Sequence, residues 1–349
     1  MTELATDRPS ILDVANHLGL SKATVSKALN APAESKLVSQ RTRARVQDAV
    51  KKLGYRPNWR GRVLARRRSQ AIAVTYSAPV GAVPRGVYWE VVDGLEKQLV
   101  ERDYIPTFLH VRRAEERVEQ MLCDGRFDGC ISLGLIAPTV LNMLRRHRVP
   151  SVLINSGADA TWSRVNPNDD QGGGEAMAHL LGQGHRRILY YAGQAILDHP
   201  SAVFREGAYR RCMREAGLES LPAFVGTADM LVDHIQRSGE PSPTAIIDFE
   251  HWSAIRLLQA LWRRGIRVPS DISLVTFNDT HPVADLIPPL TTVALPARAM
   301  AERAVEMLLR QLEEPERGPE TVVLDETLVV RESTAPMSAW SEDQRRERS

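Results

Sequence analysis

Apolar residues recur at helical spacing three times within the first 54 positions. Ile11, Val14, Ala15 and Leu18 share one face of a segment that opens at Ser10, with Asp13 three places on in the [ST]-x-x-[DE] start pattern, and stops at Gly19. Gly19-Leu20-Ser21 reads as a tight turn, and Ser21 is placed to cap a second helix over Lys22 to Leu29. There Val25 and Leu29 face inward, while Lys22, Ala23 and Lys27 face out. A third helix, Gln40 to Leu53, opens at Val38-Ser39, carries Val46, Ala49, Val50 and Leu53, and ends at Gly54. The pattern predicts a small all-α helix-turn-helix domain over residues 10–56.

From Ala71 the period changes. Short apolar runs at 71–75, 129–133, 151–154, 187–191, 245–247 and 272–276 alternate with amphipathic stretches, which predicts strands of a parallel α/β domain. Such sheets bind ligands at the carboxyl ends of their strands. The informative residues are therefore those just after these runs: Asn155, Arg205, Glu250, His251, Asn278 and Asp279.

Charge changes the picture more than composition does. The 349 residues are 43% hydrophobic and 25% charged, as in ordinary globular chains, and the net charge of +2 looks neutral. Residues 1–68, however, hold 15 Lys and Arg against 5 Asp and Glu, and the remainder holds 30 against 38. A basic head on an acidic body is the footprint of a nucleic-acid reader joined to something else. Three scattered cysteines, no apolar leader and no apolar run long enough to span a bilayer lead us to expect a cytoplasmic protein with no membrane partner. No P-loop, G-x-S-x-G or H-E-x-x-H motif and no convincing metal spacing is present, so neither an enzyme nor a cofactor is expected. Gly172-Gly173-Gly174 follows a polar loop instead of a strand and is read as a lobe boundary, not a phosphate loop.

Short helical pairs with a glycine turn also occur in proteins that never touch DNA. Here the run D-V-A-x-x-L-G-L-S-x-A-T-V-S-K-A-L-N from Asp13 to Asn30, followed by L-G-Y-R-P-N, resembles the head of the LacI/GalR family of bacterial transcription repressors. That resemblance implies base reading by Lys22, Ala23 and Lys27. It implies phosphate contacts by Ser21, Thr24, Ser26, Asn30, Ser39, Thr42, Tyr55 and Asn58. For Ser21 and Ser39 helix capping is the competing reading. Residues 57–68 fall where the family has a hinge helix that orders on DNA and wedges a leucine into the minor groove, which places Leu64 at the wedge. Gly61 stands where alanine is usual and costs a helix roughly 1 kcal/mol.

The resemblance continues through G-G-G-E-A-M-A-H-L-L-G-Q-G-H-R-R-I, R-x-G-A-Y, R-V-P-S-D-I-S-L-V-T-F-N-D, P-P-L-T-T-V and L-V-V-R-E-S-T, covering roughly residues 10–335. It implies a two-lobed, periplasmic-binding-protein-like (type I) α/β domain over 69–335. The N-lobe is expected at about 69–165 and 293–325, the C-lobe at about 166–292, and a mobile tail at 336–349. By position it assigns effector contacts to Tyr88, Asn155, Arg205, Glu250 and Asn278. Glu250-His251 stands where Asn-Asp is usual, so the effector, a sugar or related metabolite, need not be a typical hexose. Glu250 favours ligands with amine or hydroxyl donors and Arg205 favours acceptor-rich ones; alternatively the two form an internal ion pair. Tyr88 is preferred over Trp89 and Trp252 as a stacking aromatic.

The functional expectation is a repressor, a homodimer or a tetramer built from it, that binds a pseudo-palindromic double-stranded operator under effector control. Two other readings remain open at this point: a sensor whose basic head docks a protein partner, and an α/β enzyme using Asp279 or Glu250 as acid or base.

Overall fold

A serine sets each helix start in the head. The computed structural model describes residues 9–30, 37–56, 68–76, 88–111, 115–193, 199–237 and 242–339, and the chain divides into two compact units, 1–70 and 71–349. In the first unit, α1 (Ile11–Leu18) opens on a reciprocal capping box in which the Ser10 backbone N–H donates to Asp13 at 2.7 Å. The Ser21 and Ser39 side chains accept from the backbone N–H of Thr24 and Thr42 at the starts of α2 (Lys22–Asn30) and α3 (Gln40–Leu53). Gly19 and Gly54 end α1 and α3 with left-handed φ of 65° and 67°. Val14, Ala15, Val25, Ala28, Val46, Ala49 and Tyr55 close a core between the three helices.

The second unit alternates strand and helix. Its first half runs β1 (Ala71–Tyr76), α4 (Tyr88–Val100), β2 (Ile105–His110), α5 (Glu115–Cys123), β3 (Gly129–Leu133), α6 (Pro138–Arg146), β4 (Ser151–Ile154) and β5 (Ser163–Pro167). Next come α7 (Asp169–Gly182), β6 (Ile188–Gly193), α8 (Pro200–Glu215), β7 (Phe224–Val225), α9 (Ala228–Arg237), β8 (Ala245–Asp248), α10 (His251–Arg263) and β9 (Ser273–Phe277). The chain then closes with β10 (Thr291–Ala294), α11 (Ala297–Glu313), β11 (Thr321–Leu324) and β12 (Thr327–Val329).

The strands form two six-stranded sheets, ordered β11-β5-β4-β3-β1-β2 and β12-β10-β9-β8-β6-β7, parallel except for β12 against β10. The central strands are buried along their length because helices cover both faces. Leu95 and Leu99 of α4 pack with Met300 and Leu308 of α11 on one face of the first sheet, and Val118, Leu122, Val140 and Leu144 of α5 and α6 pack on the other.

The chain passes between sheets three times: after Pro167, after Ala294 and between Leu324 and Thr327. The second passage falls later than the expected 292/293 because β10 stays paired with β9 as far as Val293, which is buried in the second sheet's core. The first sheet's strands thus end at Pro167, past the expected 165, and β12 belongs to the second lobe. The expected tail also begins too early. Met337 N–H donates to the Gln183 carbonyl at 2.9 Å, and Met337–Ala339 forms a 3-10 turn; residues 340–349 lie outside the described residues.

The triple glycine lies in the first turns of α7, where the helix meets its neighbours closely. A Cβ on Gly173 would sit 2.7 Å from the Ala208 Cβ of α8, and one on Gly172 would meet the Glu326 side chain and Val293. Overpacking there forces α7 and α8 apart, so Gly173→Val is expected to lower the stability of the body by ~1–3 kcal/mol in chemical denaturation. A value within error of zero would show that the helices are free to shift.

Candidate functional site

In the head, the three residues expected to read bases all lie on the outward face of α2. Lys22, Ala23 and Lys27 are exposed, Thr24 and Ser26 are half-buried, and neither lysine has a partner among the described residues. Only the small side chains of Ala23 and Ser26 stand between the two lysines on that face, which suits entry into a major groove. Asn30 closes the helix. Ser21 and Ser39 do act as caps. Each also shares a hydrogen bond with the hydroxyl of the threonine three places on, at 2.8 and 2.9 Å. Each Ser/Thr pair spends one hydroxyl proton internally and keeps one to donate outward. The Tyr55 ring is 8% exposed and belongs to the head core, so any phosphate contact from it falls to its hydroxyl. Asn58, Gly61 and Leu64 lie outside the described residues.

In the body, Asn155 ends β4 with φ of 52°, and Asn278 follows β9 with φ of 72°. Asparagine tolerates this left-handed turn, which bends each chain away from the carboxyl end of its sheet. The Asn155 side-chain N–H donates to the Tyr88 hydroxyl at 3.4 Å, and the Ser201 hydroxyl donates to the Asn155 carbonyl oxygen at 3.4 Å. Tyr88 and Asn155 belong to the first lobe and Ser201 to the second. The carboxyl edges of the two sheets therefore face each other here, and a Cβ on Gly157 would come within 2.9 Å of the Pro200 ring. Burial pushes the Tyr88 hydroxyl up to about 12, against the opposing effect of the Asn155 bond, so it stays protonated. The Asn278 side chain is nearly buried and has no hydrogen-bond partner among the described residues.

Arg205 sits below this contact, and each of its three nitrogens donates one hydrogen bond. Its Nε donates to Asp169 at 2.7 Å, Nη1 to the Phe249 carbonyl at 2.9 Å and Nη2 to Glu326 at 3.5 Å. The guanidinium also lies 4.2 Å from the Phe277 ring centre. Arg205 and Asp169 side chains are 3% exposed and Glu326 is 0% exposed. Burial opposes the charge on Arg205, but the two carboxylates outweigh it and keep the guanidinium protonated. Burial pushes the Glu326 carboxyl up despite Arg205, with Asp169 adding to the rise, and its Oε2 has no hydrogen-bond partner.

The Arg205–Glu250 ion pair left open by the sequence does not form. Glu250 caps α10, accepting from the backbone N–H groups of Trp252 and Ser253 at 2.9 and 2.8 Å. Burial raises its pKa against those bonds. His251 is 2% exposed; its Nδ1 lies 3.4 Å from Glu250, yet neither ring nitrogen makes a hydrogen bond. Burial, with Arg205 adding, depresses it to about 4, so it is neutral and the contact is not an ion pair. Asp248, fully buried, accepts from the Ser253 hydroxyl and is held well above the usual carboxylate range by burial. Trp89 is exposed, and Trp252 packs its ring on His251.

Asp279, the other acid considered for an enzyme, is committed to Arg331 at 2.7 Å and Thr292 at 2.8 Å. Burial would raise it, but these bonds and the arginine charge hold it low, so it has no proton to give. His179 and His185 bond Thr334, Thr244 and the Ala335 carbonyl, which accounts for both as structural. Sequence reasoning singled out neither Asp169 nor Glu326. The available signal was the rule that a buried arginine needs carboxylates, which does not say which ones.

The sequence profile described as bacterial regulatory proteins, lacI family, matches residues 10–58, and that of a periplasmic binding protein-like domain matches 177–334. The chain thus joins a lacI-family head to a periplasmic-binding-protein-like body. The ribose operon repressor of Escherichia coli K12 is 28% identical over 92% of this chain and 98% of its own. Among solved structures, the transcriptional regulator CelR–cellobiose complex superposes with a TM-score of 0.69 at 29% identity, over 93% of this chain and all of that one. The Lac repressor dimer bound to operator and the anti-inducer ONPF superposes with a TM-score of 0.80 over 94% of this chain and all of its own; at 23% identity it speaks to the fold. No helix among the described residues is long and apolar enough to cross a membrane.

Proposed function

We propose that the protein is a homodimeric transcriptional repressor whose head reads a two-fold operator and whose body responds to a small-molecule effector. The observation that carries this is the exposed, unpartnered Lys22/Lys27 face of α2 in a LacI-family head, on a +10 segment. Lys22, Ala23 and Lys27 read base edges. Ser21, Thr24, Ser26, Asn30, Ser39, Thr42, Tyr55 and Asn58 hold phosphates, and Leu64, three places after Gly61, wedges the minor groove. Two-fold DNA calls for a second copy, and the C-lobe offers it a groove of about 810 Å³ lined by Leu258, Trp262, Leu286 and Ile287, with Trp262 63% and Ile287 91% exposed.

The effector, a sugar or related metabolite, occupies the cleft between the facing sheet edges, where Tyr88, Asn155, Glu250 and Asn278 offer polar groups above Arg205. It acts by binding one lobe arrangement better than the other, typically by about 1–3 kcal/mol. The protein works where the chromosome is, in the bacterial cytoplasm, as a regulator and not an enzyme. The test is selection of DNA fragments by the intact protein at about 150 mM salt, followed by titration of the winner with salt. A palindrome should be enriched, its affinity falling by ~10³ or more between 50 and 200 mM, with Leu64→Ala weakening it. No enrichment, or binding insensitive to salt, removes the DNA reading and leaves a head that docks a protein.

A further inference from the structure

Of the three passages between the lobes, the first and third lie side by side. The Asn168 N–H donates to the Leu324 carbonyl at 2.8 Å, and the Asn168 side chain donates to Asp325 at 2.7 Å. Beyond Asp325 the third passage is fastened to α7 of the second lobe. The Gln171 side chain accepts from the Glu326 N–H at 2.9 Å and donates to its carbonyl at 3.2 Å, and Glu175 accepts from the Leu328 N–H at 3.1 Å. Between these ties the Glu326 side chain turns inward, fully buried, and rests on Gly172, where a Cβ would collide with its Oε2. Charge at this seat is not balanced. Arg205 Nη2 reaches Glu326 at 3.5 Å, but the same guanidinium donates to Asp169 at 2.7 Å, which alone neutralises it. The Glu326 Oε2 has no hydrogen-bond partner. Among the described residues, the charged groups facing Glu326 are Arg205 from α8 and Asp169 and Glu175 from α7; β10 offers only Val293, and the exposed Asp325 is turned to Asn168. An ionised Glu326 is therefore a surplus charge held out of water.

From this we infer that the third passage is a proton-operated latch between the lobes: with its carboxyl neutral, Glu326 stays seated on Gly172 and fastens residues 325–328 to α7, and with it ionised the passage lifts off α7 and frees the lobes to rearrange. Burial pushes the Glu326 carboxyl up to about 7, with Arg205 opposing and Asp169 and Glu175 adding. A carboxyl that holds its proton more tightly when seated than when released favours the seat in acid. Seating is complete below the ordinary value of 4.5 and is progressively lost as pH rises from there through 7. The latch does not take Arg205 out of the cleft, since three of its five N–H groups make the bonds to Asp169, Phe249 and Glu326. The inference deepens the proposed function by giving the lobe arrangement a second input, the proton. It rests on that reading only for its consequence at the operator.

Hydrogen exchange of the Glu326 and Leu328 amides in the full-length protein reads the latch directly, because their bonds to Gln171 and Glu175 exist only while the passage is seated. Their protection factors, which divide out the intrinsic effect of pH, should fall at least about tenfold between pH 5 and pH 7 and level off above. In Glu326→Gln, whose side chain keeps the shape and cannot ionise, both amides should keep their acid-level protection at both pH values. Gly172→Ala, which fills the seat, should leave them in acid as poorly protected as wild type is at pH 7. Should neither variant fold, the wild-type titration decides by itself, with the buried β8 amides as reference. Protection that does not change between pH 5 and pH 7 overturns the inference. So does a fall that the β8 amides share, which is global loosening, or one that persists in Glu326→Gln. Operator affinity, measured on the selected fragment, should follow the same titration in wild type and not in Glu326→Gln. Failure of the underlying reading looks different: affinity that ignores pH while the two amides titrate supports the latch and removes lobe control of the head.

Discussion

Arg205→Ala lowers the unfolding free energy of the body by about 3–5 kcal/mol, the cost of leaving buried carboxylates without their cation. Asp169 and Glu326 are both essentially inaccessible to water, and in the variant neither has another cation within bonding distance. Two ionised carboxylates cannot stay there unpaired. At least one takes up a proton, and the loss should grow as pH rises from 6 to 8. The sign follows from Glu326, whose folded pKa lies above its unfolded value. The stability tied to its protonated form is complete below the unfolded pKa and is lost as pH rises through the folded one. Removing Arg205 moves that loss to higher pH and makes it larger. Guanidinium titration of wild type and variant, followed by tryptophan fluorescence at pH 6 and pH 8, reads both effects. The ion pairs themselves need not be stabilising relative to an apolar core. Replacing Arg205, Asp169 and Glu326 together by Met, Leu and Leu should recover most of the loss. A single variant costing under about 1 kcal/mol would mean that water reaches the carboxylates and that the node is not the tie described here.

That node also marks where reading the chain stops short. The head was legible because everything that shapes it is local: a serine before each helix, a left-handed glycine after two of them, and apolar residues at helical spacing that do meet in one core. The body's central strands were legible because burial on both faces leaves uninterrupted apolar runs, as in β1, β3 and β4. Edge and crossing strands were not. β2 carries Pro106 and exposes Ile105 and Phe108, β5 alternates Arg164 and Asn166 with buried neighbours, and β11 and β12 are four and three residues long. Their pattern is half polar and cannot be told from loop. The cleft was half legible. Asn155 and Asn278 follow buried strands and fall where a parallel sheet presents its ligands. Arg205 stood out in the sequence, but its partners lie 36 and 121 positions away, and no local pattern links them. Glu250 looked like a cleft acid and is also a helix cap, a role visible only once α10 is known to start at His251.

The same contrast between local and distant information bears on the head, whose helices are fixed by their own sequence while their use depends on a partner. Lys27→Ala should weaken operator binding by about 1–3 kcal/mol and relax the selected sequence at one base pair in each half-site. Lys27 is exposed on α2 and has no hydrogen-bond or ion-pair partner among the described residues, so the loss should appear in binding and not in the head's own unfolding. Thr24→Ala is the contrasting case. Its hydroxyl bonds Ser21, and on the proposed reading it holds a phosphate, so its loss should weaken all sequences alike. Salt separates the two roles for the lysine. If Lys27 reads a base, the slope of log affinity against log salt stays near that of wild type while the selected sequence changes. If it only neutralises a phosphate, the slope falls by about one unit and the sequence does not change. Repeating the fragment selection with Lys27→Ala and with Lys22→Ala, each followed by a salt titration, assigns both residues. An unchanged consensus in both variants would overturn base reading by this face and move specificity to the hinge around Leu64, through the sequence-dependent cost of kinking the operator.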